Sequence, residues 1–354
     1  MPEEVSADAP GRVNLIGEHT DYHEGYVLPT VIPQRTCVRM TRRADRIVRA
    51  TSSAVDGAGE EYEVGHEAPG RGWLDYVQGV TATLARQGVR LPGLDVHIDS
   101  SIPLGAGVAS SAALGVSLLR ALRLILNLGF DDVALAKMAQ SAETDFVGAP
   151  VGIMDQMASS LGRDGEALFL DTRSLEVKRV PLPASVELVV IHSGITHAHA
   201  GGEYVTRRRE SFEAAERLGV ARLRDADVTM MPAIEALPPP LNRRARHIVS
   251  ENSRVLASVE ALRAGDAKRL GALLNESHVS MRDDYETSTT DIDVLVTIAQ
   301  ARHDVYGARL TGGGFGGSIV ALAAAGCGRS AATQISADYH QRTAREPIVL
   351  VPLR

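Results

Sequence analysis

Pro103-Leu104-Gly105-Ala106-Gly107-Val108-Ala109-Ser110-Ser111 runs directly into an apolar stretch, Ala112–Leu126. Gly105 and Gly107 permit backbone conformations and close approaches that a side chain would block. Ser110 and Ser111 fall where a helix begins, so unpaired N–H groups and the positive end of the helix dipole face whatever the loop encloses. That combination suits a polyphosphate. The plainer reading is a glycine-rich turn capped by serine. The segment is not a Walker A loop, because no Gly-Lys-Ser/Thr follows, and Ser-Ser replaces the last glycine of a dinucleotide fingerprint.

Upstream of this loop the chain reads as short strands and turns, with β-rich runs at Tyr26–Ile32, Thr36–Thr41 and Ile47–Thr51 and alternation at Leu94–Ile98. Trp73, Tyr76, Val77, Val80 and Leu84 share one face of a helix over Trp73–Gln87. Downstream, Asp132–Phe146 reads as a helix with acidic residues at its positive end. Strands are expected at Ala167–Leu170 and Glu187–Ile191, and helices at Glu203–Leu218, Arg243–Ala264, Ala267–Asn275 and Ile292–Ala301. The C-terminal part returns to β at Ala308–Thr311 and Ser318–Ala323, passes a helix near Ala331–Arg342 and ends on a strand at Ile348–Val351. The expected class is α+β, in two lobes over residues 1–175 and 176–354.

Three further segments carry chemistry. Leu310-Thr311-Gly312-Gly313-Gly314-Phe315-Gly316-Gly317 packs five glycines into six positions between two strands, which a plain hairpin does not require. With Gly105–Ser111 it favours one shared phosphate site. Ala9-Pro10-Gly11-Arg12-Val13-Asn14-Leu15-Ile16-Gly17-Glu18-His19-Thr20-Asp21-Tyr22 gathers hydrogen-bonding groups suited to sugar hydroxyls, or else forms a charged surface turn. In Gly152-Ile153-Met154-Asp155-Gln156 the aspartate is a candidate buried carboxylate, or else a helix N-cap.

Lys+Arg number 37 and Asp+Glu 44, a formal charge of −7, which argues against a general nucleic-acid or anionic-membrane surface. Five Phe, eight Tyr and one Trp are too few for base-stacking platforms. Cys37 and Cys327 form neither a disulfide framework nor a zinc site and fit a reducing cytosol. No apolar run reaches the ~18 residues of a membrane span, and the N-terminus lacks the apolar core of a secretory signal. A cytoplasmic protein is expected. His192, His197 and His199 fit no zinc spacing and read as a hydrogen-bonded loop. Arg207-Arg208-Arg209 reads as a solvated face, and Arg282-Asp283-Asp284 as an ion-paired helix end.

These segments, in this order, resemble the galactokinase family of the GHMP small-molecule kinases, as do Glu203–Glu210 and Ser277–Glu286. The resemblance implies a two-lobed fold with the active site in the cleft between lobes, and ATP-dependent phosphorylation of the anomeric hydroxyl of galactose. It makes Arg12 and Asp155 the catalytic pair. Glu18, His19, Asp21, Gly152 and Tyr204 become sugar contacts. Gly105, Ala106, Gly107, Val108, Ala109, Ser110 and Ser111 become the phosphate loop, Trp73 and Tyr76 neighbours of the adenine, and Ser111 and Glu143 ligands of Mg²⁺. Ala109, Val151, His23 and Thr196 depart from residues common in the family. A monomer is expected, with a sugar and ATP as its only partners. The alternatives are a kinase for arabinose, N-acetylgalactosamine or another aldose, and a non-catalytic sugar and ATP sensor.

Overall fold

The computed structural model describes residues 4–55, 59–195 and 200–352. The strands, in chain order, are β1 (Glu4–Asn14), β2 (Tyr26–Val27), β3 (Pro29–Arg43), β4 (Ile47–Ser52), β5 (Glu60–Glu63), β6 (Gly93–Ser100), β7 (Glu166–Asp171), β8 (Val177–Pro181), β9 (Val186–His192), β10 (Val305–Thr311), β11 (Ser318–Ala324) and β12 (Ile348–Val351). The helices are α1 (Leu74–Arg86), α2 (Ser110–Leu126), α3 (Asp132–Ser141), α4 (Met154–Leu161), α5 (Ala200–Arg217), α6 (Met231–Glu235), α7 (Leu241–Arg263), α8 (Ala267–Asp283), α9 (Thr290–Gln300) and α10 (Gly328–Thr343). By internal contact the chain divides into two units whose segments interleave. The first comprises Met1–Arg12, Val31–Leu104 and Ala109–Gly162; the second comprises Val13–Thr30, Gly105–Val108 and Arg163–Arg354.

In the first unit β6 pairs antiparallel with β3 and parallel with β4, and β5 edges β4. β1 adds to β3. Val38, Met40, Val48, Leu94 and Val96 from the strands and Leu84, Val116, Leu119, Leu135 and Met157 from the helices are buried. In the second unit β10, β11, β9 and β12 form an antiparallel sheet in that order. Val189, Ile191, Met281, Leu295, Leu310, Ile319 and Tyr339 make one core cluster there. Leu223, Ile234, Leu241, Ile248 and Tyr285 belong to another. Helix α8 lies against β10 at a point where both chains carry glycine. A Cβ on Gly307 would stand 2.1 Å from the Gly271 carbonyl oxygen, and one on Gly271 2.2 Å from that of Tyr306.

The expected strands and helices are present, most of them longer by a few residues, but the runs expected at Tyr26–Ile32 and Thr36–Thr41 are divided differently: β2 stops at Val27, and β3 continues unbroken from Pro29 through both, with Pro33 on an exposed position that interrupts nothing. Three strands carry no clear signal. β1 carries Pro-Gly-Arg within its second half, while β5 and β8 bury one side chain each, Tyr62 and Val180. Helix α8 runs past the expected Asn275 to Asp283 because its last turns bury polar residues, Ser277, His278 and Ser280, which break the apolar period. The helix expected over Asp132–Phe146 is α-helical only to Ser141. Ala142–Val147 is wound as a π-helix, capped by Gly148 at φ 82°. Local side-chain bonds support that wider turn, Ser141 donating to Asp145 at 2.6 Å and Thr144 to the Gln140 carbonyl at 3.0 Å.

Candidate active site

In the first unit Arg12, on β1, grips Asp155, in the first turn of α4. Nε donates to Oδ1 at 2.8 Å and Nη2 to Oδ2 at 2.5 Å. This fork-to-carboxylate pairing fixes both distance and plane. The arginine side chain is 5% exposed and the aspartate 26%. Asp155 is therefore neither fully buried nor a helix cap. Ile153 takes the N-cap position, and the carboxylate keeps an open side beyond the guanidinium. Gly152 is half-buried just before this turn.

The π-helical turn places Glu143 inside the same unit. Its carboxylate accepts from Gln156 Nε2 at 2.9 Å. Burial holds its pKa above the ordinary value, with the Asp155 charge adding to the rise and the nearby Ser111 hydroxyl drawing it down. Tyr76, in the first turn of α1, feels both its own burial and the Glu143 charge, which raise its pKa; Trp73 stands at that helix's N-cap. Helix α2 starts from Ala109 in the left-handed region (φ 64°), and no side chain caps it. Ser110 and Ser111 thus open the helix as expected. Sequence reading missed Gln156; a buried amide flanking a candidate carboxylate was the available signal.

In the second unit the segment after Asn14 is fastened to β10 and its glycine loop. The Asn14 amide donates to Thr311 Oγ1 at 3.0 Å, and Thr311 Oγ1 donates to the Asn14 carbonyl at 2.9 Å. Glu18 Oε1 accepts the Gly312 N–H at 3.1 Å, and Oε2 is ion-paired with Arg309. Arg309 also donates to the Leu15 carbonyl at 3.1 Å and lies 3.5 Å from Glu251. Glu251 in turn accepts from the Gly17 amide at 3.0 Å, Ser277 Oγ at 2.5 Å and Arg254 Nε at 2.7 Å. Two carboxylates and two guanidiniums are thus gathered, with Glu18, Glu251 and Arg309 fully enclosed. Burial pushes Glu18 up to about 7, against the pull of Arg309. Glu251 meets the same burial, but Arg254 and Arg309 overcome it and hold it near 2.

His19 sits in the left-handed region at φ 66°. Its ring centroid lies 4.6 Å from that of Tyr285, 5.5 Å from Tyr204 and 5.9 Å from Tyr22. Asp21, half-buried, accepts the Tyr22 amide at 3.0 Å. The two glycine-rich segments meet here. Ser318 Oγ donates to the Ala106 carbonyl at 2.7 Å, and a Cβ on Gly312 would stand 2.9 Å from the Gly107 oxygen. The stretch Ala9–Tyr22 is therefore no surface turn: Arg12, Glu18 and His19 are all buried. Nor is the arginine run simply solvated. Arg207 donates to the Tyr285 carbonyl at 2.8 Å, and Arg208 lies over the Tyr22 ring, while Arg209 is exposed. Arg282 pairs with Asp283 at 2.7 Å and Asp284 with Arg246 at 2.6 Å. His192 is buried and its Nδ1 accepts the Gly194 amide at 3.1 Å. Thr196, His197 and His199 lie outside the described residues, among which no cluster of three or more His, Cys, Asp or Glu could hold a metal.

Three histidines of this unit are held neutral by burial: His19 and His23 are lowered from 6.5 to about 3 and His247 to about 4. Stability tied to them is complete above pH 6.5 and is lost as the pH falls toward those values, because the unfolded chain takes up the protons. Each contributes a slope of up to about 1.4 kcal/mol per pH unit. Glu18, raised from 4.5 to about 7, acts in the opposite sense across that window, one group against three. The urea midpoint is expected to be lower at pH 5 than at pH 7.5. A midpoint that stays level or rises on acidification would show that these imidazoles are not buried neutral.

Residues 2–42 match the family description "Galactokinase galactose-binding signature", 75–163 "GHMP kinases N terminal domain" and 258–339 "GHMP kinases C terminal". A curated galactokinase of Roseiflexus sp. (strain RS-1) is 44% identical over 98% of this chain and 90% of its own length. The chain belongs to the galactokinase family. The crystal structure of Lactococcus lactis galactokinase, complexed with galactose, superposes with a TM-score of 0.94 at 31% identity, covering 98% of this chain and 92% of that one. Outside the galactokinases, the Methanococcus jannaschii mevalonate kinase shares the fold, with a TM-score of 0.71 at 14% identity over 99% of this chain and 97% of its own. The mixed helix-and-sheet GHMP fold expected from sequence is borne out. Arg309, Glu251, Tyr22 and Tyr285 were not singled out in the sequence. A charge inside the apolar strand Ala308–Thr311 was the signal for Arg309, since a buried charge demands a partner.

Proposed function

We propose that this galactokinase-family chain transfers the γ-phosphoryl group of ATP to the anomeric hydroxyl of galactose, with the Arg12–Asp155 pair as its catalytic centre. The observation that carries this reading is the pair's fixed bidentate geometry around a carboxylate that keeps an open side. Asp155 orients the hydroxyl and accepts its proton as the new O–P bond forms and the bond to the leaving ADP oxygen breaks. Arg12 offsets negative charge on the transferred group. Phosphoryl transfer asks for positioning and charge neutralisation more than covalent chemistry.

Glu18, His19, Asp21, Gly152 and Tyr204 are proposed to hold the sugar, and Gly105–Ser111 the phosphates, with Trp73 and Tyr76 beside the adenine. A Ser111 hydroxyl next to the Glu143 carboxylate is a hard-oxygen donor pair, and it fits a Mg²⁺ ion that takes its remaining ligands from phosphates and water. The ion would neutralise phosphate charge. Two free cysteines support a cytoplasmic setting, and no helix among the described residues is long and apolar enough to cross a membrane.

The test is ADP release over a panel of sugars at fixed ATP. Galactose is expected to exceed glucose in kcat/KM, because an inverted hydroxyl leaves a polar group of the site unpaired at about 1–3 kcal/mol, roughly 5- to 150-fold. Asp21→Ala is expected to lose much of that ratio. Equal use of the two sugars overturns the galactose assignment, and faster turnover of arabinose or N-acetylgalactosamine would name the substrate instead.

A further inference from the structure

Behind His19 runs a buried chain of hydroxyls whose direction can be read from its far end. His19 Nδ1 is 3.0 Å from Tyr22 Oη, which is 2.7 Å from Tyr285 Oη. Beyond Tyr285 stands the Arg207 carbonyl, 3.4 Å away, an acceptor with no proton to give.

A carbonyl can only accept, so Tyr285 is the donor at the far end. Tyr285 having spent its proton outward, Tyr22 must donate to Tyr285, and the imidazole must donate to Tyr22. Both phenols are buried and their pKa values raised, Tyr285 to about 12, so each carries one proton to place. Gly313, whose backbone lies near the ring, exerts the competing pull. Its contact makes no hydrogen bond of normal geometry, however, and His19 Nε2 is left buried with no protein partner.

We infer that Tyr22 and Tyr285 are positioning residues that hold the proton of His19 on Nδ1, so that Nε2 faces the sugar as a bare acceptor and recognises a hydroxyl that donates. This rests on the sugar-kinase reading for its ligand but not for its tautomer. Without the chain the ring is free to exchange tautomers, and the site no longer distinguishes a donating hydroxyl from an accepting one.

Two measurements test it. In the ligand-free protein at pH 7.5, long-range ¹H–¹⁵N correlation on ¹⁵N-histidine, with the His19 signal assigned by its loss in His19→Asn, is expected to show the Nδ1–H form. An Nε2–H form overturns the inference whatever the enzyme's substrate. Tyr22→Phe and Tyr285→Phe keep the rings and remove only the hydroxyls. Each is expected to raise the galactose KM about five- to tenfold while the ATP KM stays within about twofold, the size of one lost buried hydrogen bond. An unchanged sugar KM, or equal changes in both KM values, would make the tyrosines merely structural. Should wild type phosphorylate no sugar while the Nδ1–H form is seen, the functional reading fails and the tautomer assignment stands.

Discussion

Asp155→Asn is expected to reduce turnover by about 10²- to 10⁴-fold, the range in which a positioned general base contributes. Asparagine matches the shape of the carboxylate but cannot take up the hydroxyl proton. It also offers Arg12 one oxygen where the native residue offers two, at 2.8 and 2.5 Å. Some stability is lost with the charge pair, so the variant's melting temperature should be measured with its activity. The informative readout is kcat at saturating sugar and ATP, since a defect in proton transfer and charge placement falls on the chemical step. A variant retaining more than about a tenth of wild-type turnover lies far outside that range, and would reduce Asp155 to a residue that only orients the substrate.

Arg309→Met is expected to be among the most destabilising single changes available to this chain. The side chain is fully buried and serves Glu18, Glu251 and the Leu15 carbonyl together. Methionine fills much of the volume and leaves two enclosed carboxylates, of which Glu251 keeps its pair with Arg254. Breaking a buried pair from one side costs about 3–5 kcal/mol. Arg309→Lys keeps the charge but cannot span three acceptors from one planar fork, so an intermediate loss is expected. Urea unfolding of the three proteins checks the order. A loss below about 1 kcal/mol for methionine, the level of an exposed ion pair, would mean that the cluster is open to water.

The sequence shows the glycine loops and the first turn of α2 plainly because their chemistry is local. Glycine at a tight approach and serine at a helix start are readable where they stand. The same holds for α1 and α7, whose apolar faces repeat at helical spacing. Glu143 was placed on the expected helix, yet its final position depends on a π-turn that no apolar period announces. The Ala9–Tyr22 segment was harder still. Its charges read equally well as a surface turn, because the groups that meet it lie at Glu251, Arg309 and Gly312. Nothing within a dozen residues of Glu18 tells whether that carboxylate meets water or a guanidinium. Arg12 and Asp155 are likewise separated by 143 positions, and it took the resemblance to a family to join them.

The interleaving of the two units has a consequence for how the protein is made. All segments of the first unit have been synthesised once Gly162 is added, but Val13–Thr30, which lies between two of them in the sequence, belongs to the second. Gly312, whose amide Glu18 accepts, is translated 294 residues after it. At about 5–20 residues per second that is a wait of roughly 15–60 s. Throughout it Glu18 lacks both the Gly312 amide and the Arg309 guanidinium. Water must solvate its carboxylate on the ribosome, and only completion of the C-terminal strands supplies those partners. A truncated chain ending before β10 would leave Glu18 without the Arg309 guanidinium and the Gly312 amide that hold it in the finished protein.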